Sequence, residues 1–151
     1  MDLYSVVLFA HIVGAVLLFV LLTVEGVGHI SGLAYAPVNR ILGPISALAI
    51  LVPGLYLMKV QWGGTAWVLV GIVTWVLIAV GGAITGIGVM RGTVSSRVAL
   101  ISWTARLGMA LAVVFDMTVK PNAAVSIVIV AAGMAIGTAA GVARRARAAT
   151  I

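Results

Sequence analysis

The sequence contains no cysteine and only three acidic residues, Asp2, Glu25 and Asp116. The missing cysteines exclude disulfides, thiolate metal sites and cysteine nucleophiles. Charged residues of both signs make up 8% of the chain, whereas a soluble domain carries about a quarter. Because 64% of the residues are hydrophobic, this composition indicates an integral membrane protein whose main partner is the lipid bilayer.

Basic charge is also scarce, although the sequence pI is about 10.9. Only nine Lys and Arg produce that value, and all but Arg106 lie at the ends of the apolar runs or in the segments that flank them. This distribution is typical of membrane topology signals rather than of a phosphate-binding face. We therefore expect no nucleic-acid binding. Phosphate-loop, serine-elbow and His-Glu-x-x-His motifs are missing as well, so the sequence leaves open whether the protein is an enzyme.

Five apolar stretches are each long enough, at about 20 residues, to cross the hydrocarbon core of a bilayer. They cover residues 3–27, 38–59, 65–90, 97–119 and 122–143. Helices are expected because lipid offers no partners for bare backbone polar groups. The predicted fold is an all-α membrane protein, a five-transmembrane-helix bundle forming a single domain over residues 1–151. In a four-span alternative, residues 97–119 pack without crossing, because Arg106 and Asp116 make this stretch the least apolar.

The connections between the stretches carry an uneven charge. Six arginines lie on one side of the membrane and two lysines on the other: Arg40, Arg91, Arg97, Arg144, Arg145 and Arg147 against Lys59 and Lys120. The positive-inside rule then places the C-terminus in the cytoplasm and the N-terminus outside. We expect a multi-pass protein of the bacterial inner membrane. The first stretch lacks the basic region and cleavage site of a secretory signal, so it is expected to be retained.

Small residues recur at four-residue spacing in the fifth stretch, at Gly133, Gly137 and Gly141, and in the third, at Gly82 and Gly86. Such spacing lines one helix face with small residues and lets another helix approach closely. Two interpretations stay open for the fifth stretch: packing inside the monomer, or a homodimer through Gly133, Gly137 and Gly141.

The first stretch and the residues just after it carry three ionisable side chains, His11, Glu25 and His29. The two histidines are five helical turns apart, so all three groups share one face if the helix persists that far. Gly26 and Gly28 could end it earlier. Five turns also separate the histidines by about 27 Å, so one haem cannot be ligated by both within a monomer.

The fourth stretch carries Arg106 and Asp116, which a rise of about 15 Å separates. They cannot pair with each other, and isolated charges in hydrocarbon cost several kcal/mol. Glu25 is the only acidic residue at the cytoplasmic level, so we predict a structural ion pair between Glu25 and Arg106. Helices one and four are then expected to be neighbours, with their polar faces inward.

At the outer level, four side chains could converge if the helices are arranged in this way: His11, Asp116, Met117 and Met58. Imidazole and thioether together favour copper, especially the reduced ion, and imidazole also suits haem iron. A carboxylate at the second imidazole nitrogen would complete the usual surroundings of a histidine metal ligand. The sequence therefore offers His11 as a cofactor ligand and the four residues together as a metal site.

Three segments carry a family resemblance: LeuPheAlaHisIleValGlyAla at 8–15, GlyLeuTyrLeuMet at 54–58 with TrpGly at 62–63, and AspMetThrValLysPro at 116–121. They resemble an uncharacterised family of small bacterial integral membrane proteins allied to the copper-resistance D-type proteins. The first segment is also similar to the membrane haem protein that oxidises protoporphyrinogen, which implies His11 as a haem ligand. The tryptophan and arginine pattern expected after that histidine is replaced by LeuLeuPheValLeu at 17–21.

Three functions are compatible with these patterns. The first is a redox or metal-handling membrane protein that binds haem b or copper near the outer side through His11. The second is a small oligomeric proton-coupled transporter, with Glu25 or Asp116 as the coupling carboxylate. The third is a structural or accessory subunit of a membrane complex, with the glycine face of the fifth helix as its contact.

Overall fold

A computed structural model describes residues 2–148 of the protein, with side chains described as far as Arg144. It contains five α-helices: α1 (Leu3–Ser31), α2 (Ala36–Leu57), α3 (Ala66–Met90), α4 (Ser96–Val119) and α5 (Ala123–Ala148). A π-helical turn, Met58–Trp62, continues α2. All five are long and apolar enough to cross a membrane. The all-α, five-span prediction is confirmed at this level, and the membrane side of each terminus stays a prediction.

Helix α1 begins and ends with recognisable caps. The side chain of Asp2 accepts a hydrogen bond from the Ser5 amide at 2.9 Å, and this bond holds the pKa of the Asp2 carboxyl below its usual range. At the other end Gly32 adopts a left-handed conformation, with φ 71°, and donates its N–H to the Gly28 carbonyl. The helix therefore ends at Ser31 and not at residue 27, and it carries both histidines, a point that the sequence left open.

Helix α2 contains two internal prolines, Pro44 and Pro53. Proline has no N–H, so Pro53 leaves the Ala49 carbonyl without its helical donor. The helix then widens into the π-helical turn, where the Gly63 N–H donates to the Met58 carbonyl at 2.6 Å. Gly63 has a φ of 58°, which ends the helical run.

The chain divides into two compact units, Met1–Val68 and Leu69–Ile151. In the first unit α1 packs against α2, and in the second α4 packs against α5. The boundary falls three residues into α3, between Val68 and Leu69. The single domain over residues 1–151 stays a prediction.

Glycine permits the closest approach in each unit. A Cβ at Gly14 on α1 would lie 2.6 Å from the carbonyl carbon and oxygen of Ala49 on α2. On α5, a Cβ at Gly133 would lie 2.5 Å from the Gly108 carbonyl oxygen on α4. Backbones in such direct contact leave no room for any side chain, so both helix pairs depend on these positions.

The predicted glycine face of α5 packs inside the chain. Gly137 lies against the Thr104 backbone, and a Cβ at Gly141 would lie 3.0 Å from the Ile101 Cα. Helix α4 therefore covers the face that was also considered for a homodimer. The homodimer itself stays a prediction, and on this face a second copy would have to displace α4.

Candidate functional site

The polar side chains of α1 are turned toward α2. The Nδ1 atom of His11 lies 2.9 Å from the Ile50 carbonyl oxygen, near the middle of α2. Near the other end of α1, His29 and Glu25 approach Tyr35 and Asn39, which lie at the start of α2. The ionisable side chains of α1 thus find most of their polar partners on α2. Contact between this face of α1 and α4 stays a prediction.

Gly54 allows the His11 ring to lie against α2. A Cβ at this position would lie 3.0 Å from the His11 Cε1 atom and 3.2 Å from Nδ1. The imidazole is half-buried, so one edge faces the α2 backbone and the ring is not sealed on all sides. Gly54, one residue after Pro53, therefore provides the surface on which the His11 ring packs.

The hydrogen bond to Ile50 fixes which imidazole nitrogen carries a proton. A carbonyl oxygen can only accept, so Nδ1 must donate. In the neutral ring Nε2 then presents a lone pair, and Nε2 has no hydrogen-bond partner among the described residues. The partner at the second nitrogen is the Ile50 carbonyl, where the sequence suggested a carboxylate.

The same contact has a structural role in α2. Since Pro53 donates no hydrogen bond, the Ala49 carbonyl, one residue before Ile50, lacks its helical donor. Gly14 and His11 of α1 cover these two carbonyls. Carbonyl groups at membrane depth need such cover because lipid cannot hydrogen-bond to them.

Met58 lies one helical turn beyond Gly54 on α2, which corresponds to about 6 Å along the axis. Gly54 contacts the His11 ring, so Met58 follows by one turn the residue against which the imidazole packs. Met58 is half-buried and begins the π-helical turn, and such irregularities are frequent at functional sites. His11 and Met58 thus belong to the same unit, and their convergence at one metal site stays a prediction.

The other two predicted ligands, Asp116 and Met117, belong to the second unit. The terminal methyl of Met117 packs on Gly71 of α3. Asp116 is one turn beyond Ala112, whose side chain contacts α5 at Gly133. Consecutive helical residues diverge by about 100°, so these two side chains face different neighbours. Their convergence with His11 stays a prediction.

No group of three or more His, Cys, Asp or Glu within the described residues is arranged to hold a metal ion. Any metal bound at His11 must therefore be completed by other donors, such as the Met58 thioether or a group from outside the chain.

A polar cluster joins the end of α1 to the start of α2. The Glu25 carboxylate lies 3.6 Å from Nε2 of His29 and 3.5 Å from the Asn39 side-chain nitrogen. The Tyr35 hydroxyl is 3.4 Å from the same histidine nitrogen. A Cβ at Gly28 would collide with the Tyr35 ring. Neither Tyr35 nor Asn39 was among the predicted site residues, because their contacts depend on how the start of α2 packs against the end of α1.

Arg106 on α4 is buried, with 4% of its surface exposed. In the second unit its side chain lies against Gly81 and Gly82 of α3, where a Cβ on Gly82 would be 3.0 Å from a guanidinium nitrogen. The two glycines make room for the arginine. The predicted ion pair with Glu25 would join the two units and stays a prediction.

Comparison of the chain with protein-family models, with curated proteins and with solved structures finds no match. The family resemblance of the short segments therefore stays a prediction, and the side-chain geometry carries the functional argument.

Proposed function

We propose that this protein binds copper, as Cu(I), through His11 and Met58 near the outer face of the bacterial inner membrane. The observation that carries the proposal is the hydrogen bond from Nδ1 of His11 to the Ile50 carbonyl. Histidine metal ligands usually donate their second ring N–H to a carboxylate or a backbone carbonyl, which orients the ring and selects the tautomer. The His11 ring has this arrangement.

The donor chemistry favours a soft ion. An imidazole nitrogen and a thioether are both neutral, and thioethers select Cu(I) over harder cations. Neutral donors also suit a monovalent ion at membrane depth, because charged ligands would add their own desolvation cost. Nothing in the first unit supplies a carboxylate at this level, since Asp2 caps α1 and Glu25 lies near its other end.

Haem b is the second candidate, and the same hydrogen bond favours it. A haem iron takes an axial imidazole through one nitrogen, and the partner of the other nitrogen tunes the ligand. His11 and Met58 could serve as an axial pair, as histidine and methionine do in other haem proteins. His29 could not contribute to the same haem, since it lies five turns away on α1.

The test is the metal content and absorbance spectrum of protein purified in detergent from its native membrane. Bound copper near one equivalent, lost on His11→Ala and reduced on Met58→Leu, would support the first candidate. A Soret band lost on His11→Ala would support haem instead. His29→Ala is the matched control, because it removes the other histidine of α1 and should leave either signal unchanged.

A small oligomeric proton-coupled transporter is favoured by a different observation: Asp116 is fully buried, and its carboxylate oxygens have no hydrogen-bond partner among the described residues. Substrate-dependent proton flux in liposomes that is lost on Asp116→Asn would place this function above metal binding. Glu25 suits the role less well because His29 and Asn39 already surround its carboxylate.

A further inference from the structure

We propose that Asp116 on α4 and Ser126 on α5 form a binding site for a monovalent cation of the sodium class. The site lies within the second unit and shares no residue with the His11 region. This proposal can therefore be tested independently of the proposed copper or haem binding at His11.

Asp116 and Ser126 lie at the same level of an antiparallel helix pair. Contacts between the two helices fix the register: Ile101 meets Gly141, Thr104 meets Gly137, and Gly108 meets Gly133. Continuing this register toward the end of α4 places Asp116 opposite Ser126. Ser126 is two turns before Gly133, on the face of α5 that α4 covers.

Both side chains are fully buried, with 0% of either residue exposed. The two carboxylate oxygens of Asp116 have no hydrogen-bond partner within the described residues, and the same is true of the Ser126 hydroxyl. This is unusual for a helical hydroxyl, which normally bonds to the preceding turn. Thr118 and Thr138 do so, at 2.7 Å and 2.8 Å, whereas Ser126 leaves its oxygen available.

An isolated carboxylate in a low-dielectric setting is unfavourable by several kcal/mol unless a positive charge compensates it. The helix ends do not supply that charge. Asp116 lies in the last turn of α4, where the dipole is negative, and Ser126 lies in the first turn of α5, where it is positive. These two effects oppose each other, so the helix dipoles leave the carboxylate uncompensated, and a bound cation would supply the missing charge.

One carboxylate balances one positive charge, which favours a monovalent ion over a divalent one. Carboxylate, hydroxyl and backbone carbonyl oxygens are hard donors that suit alkali and alkaline-earth cations rather than soft metals. The Ser126 hydroxyl distinguishes a bound metal cation from a bound proton. A metal cation needs several oxygen ligands, whereas a single proton on Asp116 needs none from α5.

The experiment measures the thermal unfolding midpoint of the full chain in detergent, in NaCl and in choline chloride at equal ionic strength and constant pH. Ligand that binds only the folded state raises this midpoint with the logarithm of its concentration. We expect Na⁺ to raise it in the wild type and to have no specific effect on Asp116→Asn. Ser126→Ala should weaken the apparent Na⁺ affinity roughly tenfold, as expected for one lost ligand to a charged group.

Thr118→Val is the matched control, because it removes an exposed, back-bonded hydroxyl from α4 and should keep the full Na⁺ response. In choline, Asp116→Asn should unfold at a higher temperature than the wild type, since it removes an uncompensated charge.

An unfolding midpoint of the wild type that does not change with Na⁺ would overturn the proposal. So would an equal response in Ser126→Ala, or a dependence on pH alone, which would indicate a proton at Asp116. If Asp116→Asn does not fold, the Na⁺ titration of Ser126→Ala alone tests the proposed site.

Discussion

The Nδ1 atom of His11 donates a hydrogen bond to the Ile50 carbonyl oxygen, 2.9 Å away, within one turn of Pro53. This contact ties α1 to the part of α2 where proline weakens the helical hydrogen bonding. It also leaves Nε2 as the only nitrogen of the ring that can bind a ligand. The structural role and the proposed metal-binding role of His11 therefore depend on one contact.

Gly14→Ala should weaken this contact and destabilise the protein by about 1–3 kcal/mol, the usual cost of overpacking. The added methyl would lie 2.6 Å from the Ala49 carbonyl and force α1 away from α2. Unfolding in detergent measures the effect. Gly43→Ala is the control: this α2 glycine has no atom within 4 Å of an added Cβ, so the change should be neutral or stabilising by about 0.5–1 kcal/mol. Equal effects of both substitutions would contradict the close α1–α2 packing.

Gly137→Ala should destabilise the second unit by a similar amount, about 1–3 kcal/mol, because its Cβ would collide with the Thr104 backbone of α4. Cysteine crosslinking between α4 and α5 reports the change directly, as a lower yield from pairs introduced along the interface. The matched variant is Gly86→Ala on α3, which meets no neighbouring atom and should leave the yield unchanged. A normal yield for Gly137→Ala would show that α5 is not seated on α4.

Gly28→Ala should displace the Tyr35 ring, since the ring occupies the space of the missing Cβ. We expect a loss of about 1–3 kcal/mol, together with a change in the His29 ring resonances that Tyr35 shields. Tyr35→Phe keeps the ring and removes the hydroxyl, whose contact with His29 is long at 3.4 Å, so its cost should be about 0.5 kcal/mol or less. A larger cost for Tyr35→Phe than for Gly28→Ala would mean that the hydroxyl, not the ring, holds the cluster together.

The first turn of α1 should become less protected in acid. The hydrogen bond to Ser5 holds the pKa of Asp2 below its usual range, so the folded helix favours the ionised carboxylate. Its capping contribution is present above the pKa of the unfolded chain and is lost as the pH falls through the lowered value. Hydrogen exchange at the Ser5 amide measures this loss. Asp2→Asn retains a capping oxygen and should remove the acid transition, and an unchanged transition would assign it to another group.

The number and type of the helices could be predicted because length and hydropathy alone determine them. The helix boundaries were less accessible. The sequence placed the end of α1 at residue 27, where Gly26 and Gly28 interrupt the apolar run, yet the helix continues to Ser31. Gly28 is present to admit the Tyr35 ring, and glycine costs only about 1 kcal/mol within a helix. Nothing in the local pattern distinguishes a packing glycine from a terminating one.

The candidate site could be predicted only in part. His11 and Met58 were proposed from residue type, and the structure shows His11 packed on Gly54, one turn before Met58. The Ile50 carbonyl was missed because a backbone acceptor leaves no signature in a sequence. Ser126 was missed for the same reason, since a serine that does not bond to its own helix looks like any other until its neighbours are known.

The most direct test of metal binding is an anaerobic titration of ¹⁵N-histidine-labelled protein with Cu(I), followed by the imidazole nitrogen resonances. We predict that Nε2 of His11 shifts on binding while Nδ1 keeps its proton and its bond to Ile50, and that His29 is unaffected. An unshifted Nε2 at His11, or a shift confined to His29, would contradict the proposal that His11 is the ligand.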